Sequence, residues 1–165
     1  YWGQPTPTWQ GSVINTFTVM RNLRLSALVD FQGGMLYEDG EIQAGHQNFR
    51  NTAQSHRGDD PIFAAYQTLV PRAPLGFFDA GFAKLRELAV SYTVPSAVVR
   101  RFGMQRASIS GAWRNVGLVW QAQDQIWGTK LFDSEMRTPG SELGSRYQTM
   151  IPPASQVVFT LRTSF

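Results

Sequence analysis

The nine residues Val157-Val158-Phe159-Thr160-Leu161-Arg162-Thr163-Ser164-Phe165 alternate apolar and polar side chains. Val157, Phe159, Leu161 and Phe165 fall on one side of an extended segment, and Val158, Thr160, Arg162 and Ser164 on the other. A period of two means a β-strand with two chemically different faces. A soluble domain seldom sets its last aromatic on an apolar strand face, because termini fray. The closing strand of a transmembrane barrel does so, and a barrel wall requires the other strands to be equally two-sided.

Composition agrees with such a wall. Charged residues make up 16% of the 165, well below the roughly 25% usual in soluble domains. The chain carries 11 Phe, 5 Trp, 5 Tyr and 15 Gly. Mean hydropathy is −0.23, and no apolar run approaches the 18 or so residues of a membrane helix. A membrane strand needs only about 9 to 11 residues, half of them polar. There is no cysteine, which excludes a disulfide framework, a thiolate metal site and a cysteine nucleophile. The net charge of +3 is spread over scattered arginines, with only Arg100 and Arg101 adjacent, so no nucleic-acid footprint is present. The chain begins at Tyr1, so any signal peptide is expected to have been removed or to lie upstream.

Five strand patterns follow from the alternation, at about residues 11–20, 23–37, 81–94, 104–120 and 154–165. Val13, Phe17 and Val19 alternate with Ser12, Thr16 and Thr18, and after a short basic turn Leu23 to Phe31 alternate with Arg24, Ser26, Asp30 and Gln32. From Gly33 to about Gly81 the pattern dissolves into Gly, Asp, Asn, Gln and Pro, which reads as a long loop. Phe82, Leu88, Val90 and Tyr92 mark the third strand, ended by Pro95. Ser96 to Gly103 reads as a helical turn capped by Ser96 and stopped by Gly103. Ala107, Ile109, Gly111 and Trp113 mark the fourth strand, whose phase breaks after Asn115, either at a bulge near Gly117 or where the strand leaves the membrane. A second long loop, about Gln121 to Ala154, leads to the last strand.

Connections thus run short, long, short, long. Transmembrane barrels have short periplasmic turns and long extracellular loops. The expected fold is all-β: an antiparallel transmembrane β-barrel segment, about five strands of a larger barrel. The alternative is a soluble β-sandwich, a carbohydrate-binding module in which Leu25, Val29, Leu88, Val90, Phe159 and Leu161 would be buried between two layers.

The motifs resemble the C-terminal end of the SusC/RagA-like TonB-linked (TonB-dependent) outer-membrane transporters. Pro7-Thr8-Trp9-Gln10-Gly11, with Asn15-Thr16-Phe17 and the strand Leu23 to Phe31, is similar to that family's opening hairpin. Phe82-Ala83-Lys84-Leu85-Arg86-Glu87-Leu88-Ala89-Val90-Ser91-Tyr92-Thr93-Val94-Pro95 resembles its "F-x-R/K-L-R/K-x-x-x-L-x-Y-x-x-P" strand, and Arg114-Asn115-Val116 its "G/R-N-L" strand. Phe132-Asp133-Ser134-Glu135 resembles its "D-P-E" loop, with Ser134 in place of the usual Pro. Residues 1–165 would then be the C-terminal part of the barrel, with no plug domain in this chain. The resemblance implies a place in the bacterial cell outer membrane and import of a large nutrient, an oligosaccharide or a peptide. It implies as partners the remainder of the barrel and the plug, outer-membrane lipid, a SusD-like surface lipoprotein, and the TonB complex through the missing N-terminal region.

No constellation for catalysis stands out, and neither a cofactor nor a metal is implied. His46 and His56 sit near Asp59-Asp60 at a spacing that matches no ligand pattern, and no serine lies in a Gly-x-Ser-x-Gly turn. The aromatics have two uses. Trp113, Trp120, Trp127 and Tyr92 suit an interfacial girdle, and the loop aromatics Trp120, Trp127 and Tyr147 are the candidate substrate contacts, by stacking on a sugar or peptide.

Overall fold

Five strands form one antiparallel meander: β1 (Trp9–Val19), β2 (Leu23–Gly33), β5 (Phe82–Thr93), β6 (Arg106–Gln121) and β10 (Gln156–Ser164), in the order β1-β2-β5-β6-β10. The computed structural model describes residues 3–39, 56–58, 77–126, 129–131, 133–135, 146–147 and 152–165. Between the long strands lie β3 (Leu36–Asp39), β4 (Phe77–Asp79), β7 (Gln125–Ile126), β8 (Thr129–Lys130) and β9 (Arg146–Tyr147). The chain divides into two compact units.

The sheet unit comprises Gly11–Phe31, Ala83–Trp120 and Pro153–Phe165. Its register is set by backbone bonds near the short connections. The Thr93 N–H donates to the Asn22 carbonyl at 2.9 Å, Val94 to Ala107 at 2.9 Å, and Gln105 to Ser164 at 2.7 Å. Each bond joins the end of one strand to the start of its neighbour, which antiparallel pairing requires. β10 pairs with β6 from Gln156 opposite Arg114 to Ser164 opposite Arg106.

The link between β5 and β6 is a short helix, Ser96–Val99, followed by a 3₁₀ turn, Arg100–Phe102, that ends on Gly103 at φ 71. Glycine takes this left-handed conformation without steric cost, so the stop at Gly103 follows from the residue. The cap differs from the sequence expectation. Pro95 occupies the N-cap position, extended at φ −57 and ψ 140, and no side chain caps the helix. Pro95 instead accepts the Val98 and Val99 N–H groups through its carbonyl.

β6 absorbs extra chain. Ala122 donates to Gly81 at 2.8 Å, while Arg114 meets Glu87 across the same pair of strands. Six residues of β5 therefore run beside eight of β6. Asn115 at φ 51 and Gly117 at φ 153 lie inside that stretch, so the surplus is taken up as a bulge where the apolar phase breaks.

The second unit comprises Tyr1–Gln10, Gln32–Phe82 and Gln121–Pro152. Sequence alternation ran one strand over 23–37, whereas β2 ends at Gly33 and β3 begins at Leu36 after Gly34 turns at φ 71. The segment that reads as an irregular loop contains β3 and β4, which pair antiparallel from Leu36 opposite Asp79 to Glu38 opposite Phe77. β9 adds to β3 in parallel. Met35, Tyr37, Phe78, Ala80, Phe82, Ile126 and Leu131 form a buried cluster. Tyr37 meets Phe78 edge to face, with centroids 6.2 Å apart and planes at 84°. Burying an aromatic or a large aliphatic side chain contributes roughly 1.5–3 kcal/mol each, so this segment carries its own core.

Candidate functional site

The long strands give the sheet unit two faces of opposite chemistry. On one, Phe17, Leu25, Leu88, Val90, Trp113, Val157 and Phe159 line an open groove of about 510 Å³. The apolar side chains here are not covered by protein: Phe159 is 81% exposed, Leu161 68%, Val157 62% and Ile109 52%. A soluble monomer rarely leaves such a contiguous patch in water. The sandwich alternative required Leu25, Val29, Leu88, Val90, Phe159 and Leu161 to be buried between layers; Val29 is half-buried, the other five are exposed, and none is buried.

Glycines on this face are covered by rings from the next strand. A Cβ on Gly111 would meet Phe159 at 3.4 Å, and one on Gly11 would meet Phe31 at 2.8 Å. A ring lying over a cross-strand glycine shields backbone that has no side chain of its own. From Val157 to Phe165 the apolar positions span eight residue steps, about 26 Å along the strand. That approaches the ~25 Å outward apolar band of a membrane barrel.

The other face is polar. Arg24, Ser26, Glu87, Ser91, Ser110, Arg114, Thr160 and Arg162 share a shallow groove of about 240 Å³. Arg114 Nε donates to Glu87 Oε2 at 2.8 Å, and Arg86 Nε to Asp30 Oδ2 at 2.7 Å. Consecutive residues Arg86 and Glu87 thus tie β5 to both neighbours. The sheet closes at its other end through side chains: Trp113 donates its indole N–H to Ser155 Oγ, and Asn115 Nδ2 donates to the Ala154 carbonyl at 3.1 Å.

Of the three aromatics expected to touch substrate, Trp120 is 50% exposed near the end of β6. The Tyr147 backbone pairs with Asp39 in the short parallel ladder, and its side chain lies outside the described residues. Trp127 lies outside them too, as does His46; His56 is exposed. Among the described residues no group of three or more potential metal ligands occurs. The D-S-E motif forms a local turn in which the Glu135 N–H donates to Asp133 Oδ1 at 3.0 Å. Sequence reading missed the core built on Met35 and Tyr37. Its signal was present, since Met35, Tyr37 and Asp39 are buried and alternate with Leu36 and Glu38, but five residues among glycines are too few to stand out.

No known family's sequence profile matches the chain, and no curated protein matches it. Among solved structures, the RagAB peptide importer, determined in its "open-open" state, is similar with a TM-score of 0.69 at 19% sequence identity. That likeness covers 97% of this chain and 17% of the importer chain, so the chain spans about a sixth of that structure's length. The chain therefore has the fold of an antiparallel β-barrel segment, with strands joined alternately by short turns and long connections.

Proposed function

We propose that this chain is part of the wall of a TonB-dependent outer-membrane transporter of the SusC/RagA-like kind, importing an oligosaccharide or a peptide. The observation that carries the reading is the exposed apolar face of a single sheet whose other face is polar and ion-paired. Lipid satisfies the first face and a water-filled or plugged lumen the second. Motif order supports a position at the C-terminal part of the barrel, with the plug and the TonB-contacting segment elsewhere in the protein. The likeness to a peptide importer supports transport as the activity, and a surface lipoprotein partner is what the motif resemblance implies. The short connections at 20–22 and 94–105 then face the periplasm and the long ones the outside, where Trp120 at the end of β6 and, by sequence position, Trp127 and Tyr147 are the candidate nutrient contacts.

The test uses the absence of cysteine in this chain. Single cysteines replacing Leu161 or Thr160, in the complete protein with any cysteine outside residues 1–165 replaced by serine, are each labelled with a fluorophore and reconstituted into bilayers with a quencher on the acyl chains. Quenching at 161 and not at 160 is the expected result. Equal, weak quenching at both positions would remove the membrane reading.

A further inference from the structure

The two short connections carry charge of one sign. Residues 20–22 and 94–105 hold Arg21, Arg100 and Arg101 and no acid. In the sheet unit as a whole, nine basic residues stand against two acidic ones, Asp30 and Glu87, and both acids are paired, with Arg86 and Arg114. Arg21, Arg100 and Arg101 are exposed and have no carboxylate partner among the described residues. The Thr93 N–H bond to the Asn22 carbonyl holds the first turn beside the start of the helical link, so the three arginines belong to one rim.

The same rim bares apolar side chains. Met20 is 83% exposed and Phe102 70%. Val98 lies one helical turn before Phe102 and is exposed as well, whereas Val99 is buried. Met20 holds φ 58, a left-handed conformation that glycine or asparagine takes at lower cost than methionine. Strain at a turn tip that leaves an apolar side chain uncovered points to a role outside packing. The apolar sheet face reaches this end too, through Val19 and Tyr92, each two residues beyond a groove residue of its strand, Phe17 and Val90, and each exposed.

Arginines interleaved with bare apolar side chains, with no acid among them, suit a segment lying in a lipid headgroup layer. The apolar groups enter the acyl boundary, and the guanidinium forks bind phosphate oxygens. A soluble anion would engage the arginines and leave Met20, Val98 and Phe102 in water. Continuity with the apolar sheet face selects the bilayer instead.

We infer that the rim formed by Met20, Arg21, Val98, Arg100, Arg101 and Phe102 binds the headgroups of anionic phospholipids in preference to zwitterionic ones. The inference rests on the transporter reading, which brings a leaflet to this level, and goes past it in assigning a headgroup-selective site to the short connections.

The test places the reporter in the link but outside the six residues. Ser96→Cys in the complete protein, with any other cysteine replaced by serine, is labelled with a fluorophore and reconstituted into phosphatidylcholine vesicles. Each vesicle preparation contains one spin-labelled quencher, phosphatidylglycerol or phosphatidylcholine, at equal mole fraction. The expected result is quenching by phosphatidylglycerol that corresponds to at least about threefold higher occupancy near the label. The preference should fall to parity in molar salt, where the Debye length is about 3 Å, and in the combined variant Arg21→Gln, Arg100→Gln, Arg101→Gln. Lys130→Gln, a change at an exposed base of the other unit, should leave it unaltered. Equal quenching by the two lipids overturns the inference, as does a preference that survives loss of the three arginines. No quenching at 96 while a label at 161 is quenched overturns it as well, and assigns the rim to an aqueous partner. A label at 161 that neither lipid quenches marks the separate failure of the transporter reading, and the inference falls with it.

Discussion

The ring of Phe159 lies against Gly111, its partner in the β10–β6 register, with Cε1 3.4 Å from where a Cβ would stand. Beyond that contact the ring is largely uncovered. The same strand places Leu161 on the apolar face and Thr160 on the polar one, so adjacent residues test both environments. Leu161→Arg should destabilise the reconstituted protein by about 2–4 kcal/mol if that face meets the bilayer core. Thr160→Arg should change stability by no more than about 0.5 kcal/mol. Urea titration of the complete protein in lipid vesicles measures both, and similar small losses for the pair would mean that the apolar face is wet.

Asn115 holds φ 51 inside β6, a left-handed conformation that asparagine tolerates and branched residues do not. Asn115→Val should cost about 1–2 kcal/mol more than Asn115→Gly, because both lose the hydrogen bond to the Ala154 carbonyl and only valine is strained at this φ. Equal effects in the same titration would show that the bulge can move along the strand.

The two ion pairs of β5 should differ in strength. Asp30 and Arg86 are 36% and 21% exposed, while Glu87 and Arg114 are 32% and 56% exposed. Solvent screens the second pair more. A double-mutant cycle should return about 1 kcal/mol of coupling for the first and roughly half of that or less for the second, both reduced by added salt. The reverse order would contradict the burial argument.

Ser134 is 2% exposed, and its Oγ has no hydrogen-bond partner among the described residues. A buried hydroxyl left unpaired is costly, so Ser134→Ala should stabilise by about 1 kcal/mol. The Asp133 carboxylate that accepts the Glu135 N–H is untouched by the change. A loss of stability on this substitution would reveal a partner for the hydroxyl.

The sequence by itself determined the long strands, their two-sidedness and their antiparallel order, because a period of two is a local property that each strand displays in its own residues. Gly103 as a helix stop and the break after Asn115 were legible for the same reason: glycine and asparagine announce left-handed backbone. Only the tertiary structure decided what joins distant residues. It split the run at 23–37 after Gly33, made a core of Met35, Tyr37, Phe78 and Phe82 from a segment without periodicity, and put Pro95 rather than Ser96 at the helix cap. It also paired both acids of the sheet unit and left six of its arginines without a carboxylate partner among the described residues. Charge pairing and burial depend on which residues meet across register, and register is fixed by the assembled sheet, not by any one strand.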